Sequence, residues 1–315
     1  MDTKPQVTKD VLTLIDDCYM HPNTSPLIFR FEPQNFSELD VRLKNASVKH
    51  GSIAGKDLYI LDDFFVASEG EEMRNYSQNA SFSRQSYGSP EAIAKGEKPA
   101  HTMNGKERWQ FFSNPPAAMN AAYKFFSLLG EKLHADITTI PWELCDQSGH
   151  SSPAVIANKL EEASEESREL GKHQDCNPEG RISFGIPVLY AQAKEIYPPQ
   201  FVNGASGNPW LVSVMIYTTA GNFLPDYRLG TVFYENQNTI AVRVNCVNMR
   251  MVLFEGDLLH SIEESSISGD VKTWRISHVY KLMLNPRYKE QNVKQEFQKW
   301  MRSLSNIETL SKSRE

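Results

Sequence analysis

Two short stretches carry residue types that can do chemistry together: Lys172-His173-Gln174-Asp175-Cys176-Asn177 and, much later, Leu258-Leu259-His260-Ser261-Ile262. In an extended segment alternate side chains share a face, so His173 and Asp175 can present one imidazole and one carboxylate to a single metal ion. His260 is the best third ligand, because it follows the strand-like run Met251 to Phe254 and the turn Glu255-Gly256-Asp257. Taken singly, a His-x-Asp or a histidine after a strand is commonplace, and it is their conjunction that counts. Two imidazoles and one carboxylate on a triangular face of an octahedron leave three positions open, the donor arrangement of non-haem Fe(II) centres.

Beyond His260 comes Trp274-Arg275-Ile276-Ser277-His278-Val279-Tyr280. Strand alternation puts Arg275 and Ser277 on one face and sends His278 the other way, outward or into core. A permanently charged, forked guanidinium beside a hydroxyl is a good receptor for a carboxylate held deep in a barrel.

These residues need a scaffold, and its elements are legible as patterns. Asp57 to Phe65 predicts a compact apolar strand, and Ser68 to Tyr76 a helix after it. Pro115-Pro116 opens an amphipathic helix carrying Met119, Ala122, Phe125, Phe126, Leu129 and Leu133. Asp136 to Asp146 has the composition of a strand, and Ala154 to Leu170 is expected to be helical with a solvated acidic face. From His173 onward the runs Arg181–Tyr190, Leu211–Thr219, Gly230–Tyr234, Thr239–Val247, Arg250–Phe254 and Trp274–Leu284 alternate with Gly, Asn and Pro turns. Recurrent short strands of this kind predict a jelly roll. Val293 to Leu304 is expected to form a closing helix, followed by a frayed tail. Residues 1–55 read as an N-terminal extension, 56–287 as the main domain with its helices and long loops, and 288–315 as a C-terminal helix and tail. The loop from Ser81 to Asn114 is a candidate lid.

The chain has 315 residues, 40% hydrophobic and 23% charged, with a formal net charge of −6. That balance lowers the expectation of a nucleic-acid or anionic-membrane partner. No apolar run is long enough to span a membrane and the N-terminus lacks a secretory pattern, so a cytoplasmic location is expected. Cys18, Cys145, Cys176 and Cys246 are scattered and make no CxxC pair, which speaks against a disulfide framework or a structural zinc site. GxGxxG and GxxxxGK[ST] fingerprints are absent from the sequence.

His173-x-Asp175, then His260, then Arg275-x-Ser277 resembles the pattern of Fe(II)/2-oxoglutarate-dependent dioxygenases, in particular the prolyl-hydroxylase-like branch. Leu58 to Phe65 looks like the strand that opens the catalytic domain there. Leu211 to Tyr217 and Gly230-Thr231-Val232-Phe233-Tyr234 resemble two of its later strands, and Val252 to Asp257 the turn before the distal histidine. The resemblance spans roughly residues 57 to 285. It implies an α+β fold, a double-stranded β-helix (jelly-roll) core with N-terminal helices packed on one sheet. It also implies that His173, Asp175 and His260 hold Fe(II), while Arg275, Ser277 and a tyrosine, Tyr190 or Tyr217, receive the far carboxylate of 2-oxoglutarate. O2 would complete the reaction, giving succinate, CO2 and a hydroxylated C–H bond. The retained Asp175 favours hydroxylation over halogenation. The sequence departs from the family at Leu229, which stands where the first glycine of a pair is usual, in a long His260-to-Arg275 gap, and in the extra segment Pro178 to Asn208.

Other metal proteins compete with that implication. A zinc hydrolase also uses two histidines and a carboxylate, but has no need of Arg275 and Ser277, and no HExxH accompanies the ligands. A cupin-like enzyme without 2-oxoglutarate would share the barrel. The acidic surface and long loops favour a peptide, protein side chain or small metabolite as substrate over a nucleic acid.

Overall fold

Leu211-Val212-Ser213-Val214-Met215-Ile216-Tyr217 is almost continuously apolar rather than alternating, which marks a strand covered on both faces. The computed structural model bears this out and describes residues 30–31, 37–80, 82–84, 101–103, 116–139, 155–160, 172–175, 202–220, 223–263, 274–304 and 306–310. In chain order these form β1 (Arg30–Phe31), α1 (Ser37–Asn45), β2 (Ser47–Ile53), β3 (Lys56–Asp62), α2 (Ala67–Asn79), β4 (Phe82–Arg84) and β5 (His101–Met103). There follow α3 (Ala117–Leu133), β6 (Asp136–Thr139), β7 (Val155–Leu160), β8 (Trp210–Ala220), β9 (Thr231–Asn236), β10 (Thr239–Val244), β11 (Met251–Glu255), β12 (His260–Ile262), β13 (Trp274–Asn285), α4 (Val293–Ser303) and β14 (Ile307–Thr309).

The strands make two sheets. The larger runs β14-β2-β3-β11-β8-β13-β7-β5-β4, with β6 also on β13 and β1 on β6; the smaller is β10-β9-β12. His173 joins the smaller sheet through an isolated antiparallel bridge to His260. From β7 onward the chain crosses repeatedly between the sheets: β7 in the large one, His173 in the small, β8 large, β9 and β10 small, β11 large, β12 small, β13 large. That alternation is a double-stranded β-helix.

Strand alternation divides the core accordingly. Ile276, Tyr280, Leu282 and Leu284 of β13, with Val212, Val214 and Ile216 of β8, pack under α1, α2, α3 and α4. Met215 and Tyr217 of β8, with Val252 and Phe254 of β11, face Phe233, Val242 and Val244 of the small sheet. The helices thus cover one face of the large sheet, and its other face closes on the small sheet. Among the described residues no helix is long and apolar enough to cross a membrane.

Several expectations are corrected. Residues 155–160, expected to lie in a helix, form β7, because Val155 to Leu160 pair with β13 from Tyr280 back to Arg275 and tertiary pairing outweighs local propensity. Residues 37–53, assigned to the extension, supply α1 and β2; Leu39, Leu43 and Val48 are buried in the main core. The tail expected to fray carries β14, parallel to β2 through Ile307, Glu308 and Thr309. The expected run Arg181–Tyr190 and most of the candidate lid lie outside the described residues.

His278 is buried on the helix-facing side of β13, its Nε2 3.2 Å from Thr218 Oγ1, which in turn lies 3.3 Å from Ser77 Oγ of α2. Burial lowers its pKa from the ordinary 6.5 to about 3. The unfolded chain therefore takes up a proton as pH falls through the ordinary value, while the folded protein resists until near the lowered one. Stability from this residue is complete above the ordinary value and is lost as pH falls towards the lowered one. Between about pH 7 and about pH 5, denaturant titrations should show wild type losing about 2 kcal/mol more than His278→Gln. Equal losses would show that His278 is not held neutral.

Candidate metal centre

The bridge that closes the small sheet is also what builds the site. His173 N–H donates to His260 O at 2.9 Å and His260 N–H donates to His173 O at 3.0 Å. Residues paired in this reciprocal way lie directly opposite and share a face. The two imidazoles consequently lie side by side, ring centroids 4.3 Å apart. Gln174, pointing the other way, donates from Nε2 to Asp257 O at 2.6 Å, tying this segment to the turn before His260. Asp175 then returns to the histidine face.

His173, Asp175 and His260 converge, with one ligand atom from each lying within 4.8 Å of the others. His173 Nε2 is 3.7 Å from Asp175 Oδ1, and His260 Nε2 is 3.9 Å from Asp175 Oδ2. Neighbouring ligands on an octahedral ion with bonds of about 2.1 Å stand about 3 Å apart, so each of these two histidine–carboxylate distances would shorten by about 1 Å or less. His260 Nδ1 faces Leu258 O at 2.9 Å and its ring meets the edge of Phe254, centroids 4.8 Å apart. A Nδ1–H donated there leaves Nε2 bare as a ligand, the usual tautomer control at metal centres.

Asp175 and His260 are buried, whereas the His173 side chain is 43% exposed, so the centre opens to solvent on the His173 side. Ser213 Oγ donates to Asp175 Oδ2 at 2.6 Å, and Lys281 Nζ lies 2.5 Å from Asp175 Oδ1. Burial alone favours the protonated acid, but Lys281, His260 and His173 outweigh it and hold the Asp175 carboxyl well below the usual range. Burial and the neighbouring His173 bring His260 down to about 4, against the pull of Asp175. Asp175 and His260 are thus in their metal-binding protonation states near neutrality.

The second half of the constellation lies on β8 and β13. Arg275 and Ser277 share a face as alternation requires, Nη1 donating to Ser277 Oγ at 3.2 Å. Nη2 lies 3.4 Å from Thr231 Oγ1 and 3.6 Å from Met215 Sδ. Tyr217 Oη is 2.6 Å from Thr231 Oγ1, and the guanidinium carbon sits 5.1 Å from the centre of the Tyr217 ring. Arg275 is 1% exposed, its Nε has no hydrogen-bond partner, and no carboxylate pairs with it among the described residues. A permanently charged group buried without an anion is costly unless a ligand supplies one.

Position along β8 fixes the spacing. The guanidinium reaches Met215, while Asp175 is held by Ser213. Two residues of extended chain span about 7 Å, comparable to the length of a five-carbon dicarboxylate. One end of such a molecule would meet the metal and the other Arg275, Ser277, Thr231 and Tyr217. The donor set therefore fits both Fe(II) and 2-oxoglutarate.

Of the residues singled out in the sequence, His173, Asp175 and His260 come together, as do Arg275, Ser277 and Tyr217. Tyr190 lies outside the described residues. Leu229 adopts a left-handed backbone, φ 56°, beside Arg228 at φ 61°, a conformation that favours glycine. At Gly230 a Cβ would come within 2.3 Å of Val244 O, which explains the glycine entering β9. Ser213, Thr231 and Lys281 were not anticipated. Lys281 was findable, since it is the one lysine in the run Trp274 to Leu284 and shares a face with Arg275 and Ser277.

No family model matches the chain, and no curated protein does. Among solved structures it is similar to a prolyl hydroxylase from Trichoplax adhaerens in complex with a hypoxia-inducible-factor peptide fragment, at 13% identity over 86% of this chain and 97% of that one, TM-score 0.41. It is also similar to iron-bound EctD from S. alaskensis, at 7% identity over 91% and 97%, TM-score 0.39. A prolyl-4-hydroxylase from Pseudomonas putida matches at 10% identity over 88% and 99%, TM-score 0.31. Likenesses this distant leave the chemistry of the site to be argued from its own residues.

Replacing the buried charge should stabilise the ligand-free protein. Arg275→Met fills similar volume without a charge, and should raise ligand-free stability by about 1–3 kcal/mol in denaturant titration. A loss of that size instead would mean that an anionic group already compensates Arg275.

Proposed function

We propose that the chain is an Fe(II)- and 2-oxoglutarate-dependent oxygenase that hydroxylates a C–H bond of a peptide side chain or small metabolite. The observation that carries it is Arg275, a buried guanidinium with an unsatisfied donor about one dicarboxylate length from the two-histidine, one-carboxylate cluster. A zinc hydrolase or a cupin-like enzyme without 2-oxoglutarate has no use for that charge. His173, His260 and Asp175 would hold the metal; Arg275 and Ser277 would take the far carboxylate, with Tyr217 and Thr231 completing the pocket wall.

Bound there, Fe(II) supplies redox chemistry in which substrate C–H, 2-oxoglutarate and O2 become C–OH, succinate and CO2. The chain contributes position and environment. The reciprocal His173–His260 pairing sets the two imidazoles, Leu258 O fixes the tautomer of His260, and Ser213 orients the carboxylate. Phe233 and Phe254 pack around His260 and keep water from its inner side. Substrate approaches from the His173 side, where the centre is open.

Mixing protein, Fe(II) and 2-oxoglutarate without oxygen should produce the visible metal-to-ligand absorption band of a chelated 2-oxo acid, and admitting oxygen should produce succinate. Asp175→Ala should abolish both. Arg275→Met should weaken 2-oxoglutarate binding by about 100-fold or more, as loss of a buried charged hydrogen-bond partner does, while leaving Mn(II) affinity within a few-fold. No band with wild type, or a band indifferent to Arg275, would remove the proposal.

A further inference from the structure

Lys281 stands out once the roles above are assigned, because a lysine this buried is rare and none of the proposed chemistry calls for one. It is 1% exposed on β13, in register opposite Ser213 of β8, so that both side chains enter the space between the sheets from adjacent strands. They grip the two oxygens of Asp175 separately: Ser213 Oγ at 2.6 Å on Oδ2, and Lys281 Nζ at 2.5 Å on Oδ1. Oδ1 is also the oxygen that faces His173 Nε2, at 3.7 Å. The ammonium therefore lies against the same oxygen edge that a metal between the three ligands would use.

The two grips differ physically. A neutral hydroxyl can donate to Asp175 whether or not a cation is present. An ammonium cannot be indifferent, because it and a divalent ion at the same carboxylate repel one another in surroundings of low polarity. We infer that Lys281 is a positioning residue acting as a built-in counter-cation: by its direct contact it holds the buried Asp175 carboxylate in place in the metal-free protein, and it weakens metal affinity in return. The site is kept assembled without its metal and binds the metal exchangeably. This inference rests on the proposed metal centre.

Two kinds of variant separate charge from packing. Lys281→Gln keeps a donor of similar length without the charge, and Lys281→Arg keeps the charge. Calorimetric titration with Mn(II), a redox-stable probe, at mildly alkaline pH should show the glutamine variant binding at least about tenfold more tightly than wild type. The arginine variant should bind no more tightly than wild type. In the same preparations the metal-free glutamine variant should melt below wild type, and saturating Mn(II) should raise its melting temperature by more than it raises that of wild type. A lysine that only filled space would lower stability in both states and leave the affinity alone.

Equal or weaker Mn(II) binding by Lys281→Gln overturns the inference while leaving the metal centre standing, as does an arginine variant that tightens as much as the glutamine variant. Folded wild-type protein that binds no Mn(II) at all removes the metal centre, and this inference with it. Lys281→Met replaces the glutamine variant if that one does not fold. Failure of both neutral variants to fold even with Mn(II) present also overturns it, since the metal should stand in for the missing charge.

Discussion

A carboxylate as buried as Asp175 must be matched on every side, and much of the architecture follows from that demand. Its partners come from four separate pieces of chain: His173 beside it, Ser213 on β8, His260 on β12 and Lys281 on β13. Two of these strands belong to the large sheet and one to the small, so the group sits where the two sheets meet. Removing Lys281 takes away the cation that compensates the carboxylate, and removing Ser213 takes away a donor to its other oxygen, which ties the fold and the site together.

The polar residues on the inner face of β13 form a stripe. Arg275, Ser277 and Lys281 share it with Val279, while the opposite face is occupied by Ile276, His278, Tyr280, Leu282 and Leu284. One face therefore contributes packing and the other chemistry, at the cost of two buried cations on a single strand. Stability given up in this way is common where a site must receive charged ligands.

The turn that delivers His260 is braced from outside the barrel. Glu255 Oε1 accepts from Asp57 N–H at 2.6 Å and lies 2.5 Å from Lys294 Nζ of α4. Asp257 accepts from Asn203 Nδ2 at 3.0 Å and pairs with Lys56, while its carbonyl takes the Gln174 amide. Strand β3, helix α4, the segment before β8 and the His173 segment all converge on these two residues. This lattice of polar contacts adds to what β12, with only three residues, can fix by itself.

The sequence by itself determined the candidate ligand types, the shared faces of His173 with Asp175 and of Arg275 with Ser277, and the jelly-roll character of the second half. These follow from residue chemistry and a period of two, which are local. It also placed α3, α4, β3 and β11 correctly, because their apolar patterns agree with the faces they bury. What it could not decide depends on contacts between distant segments. Val155 to Leu160 is a strand only because β13 is there to pair with it, and residues 37–53 join the core only because the large sheet extends to receive β2. Ser213, Thr231 and Lys281 are ordinary residues in their own strands. Only the closing of one sheet on the other, which puts Ser213 and Lys281 on Asp175 and Thr231 on Arg275, makes them part of the site.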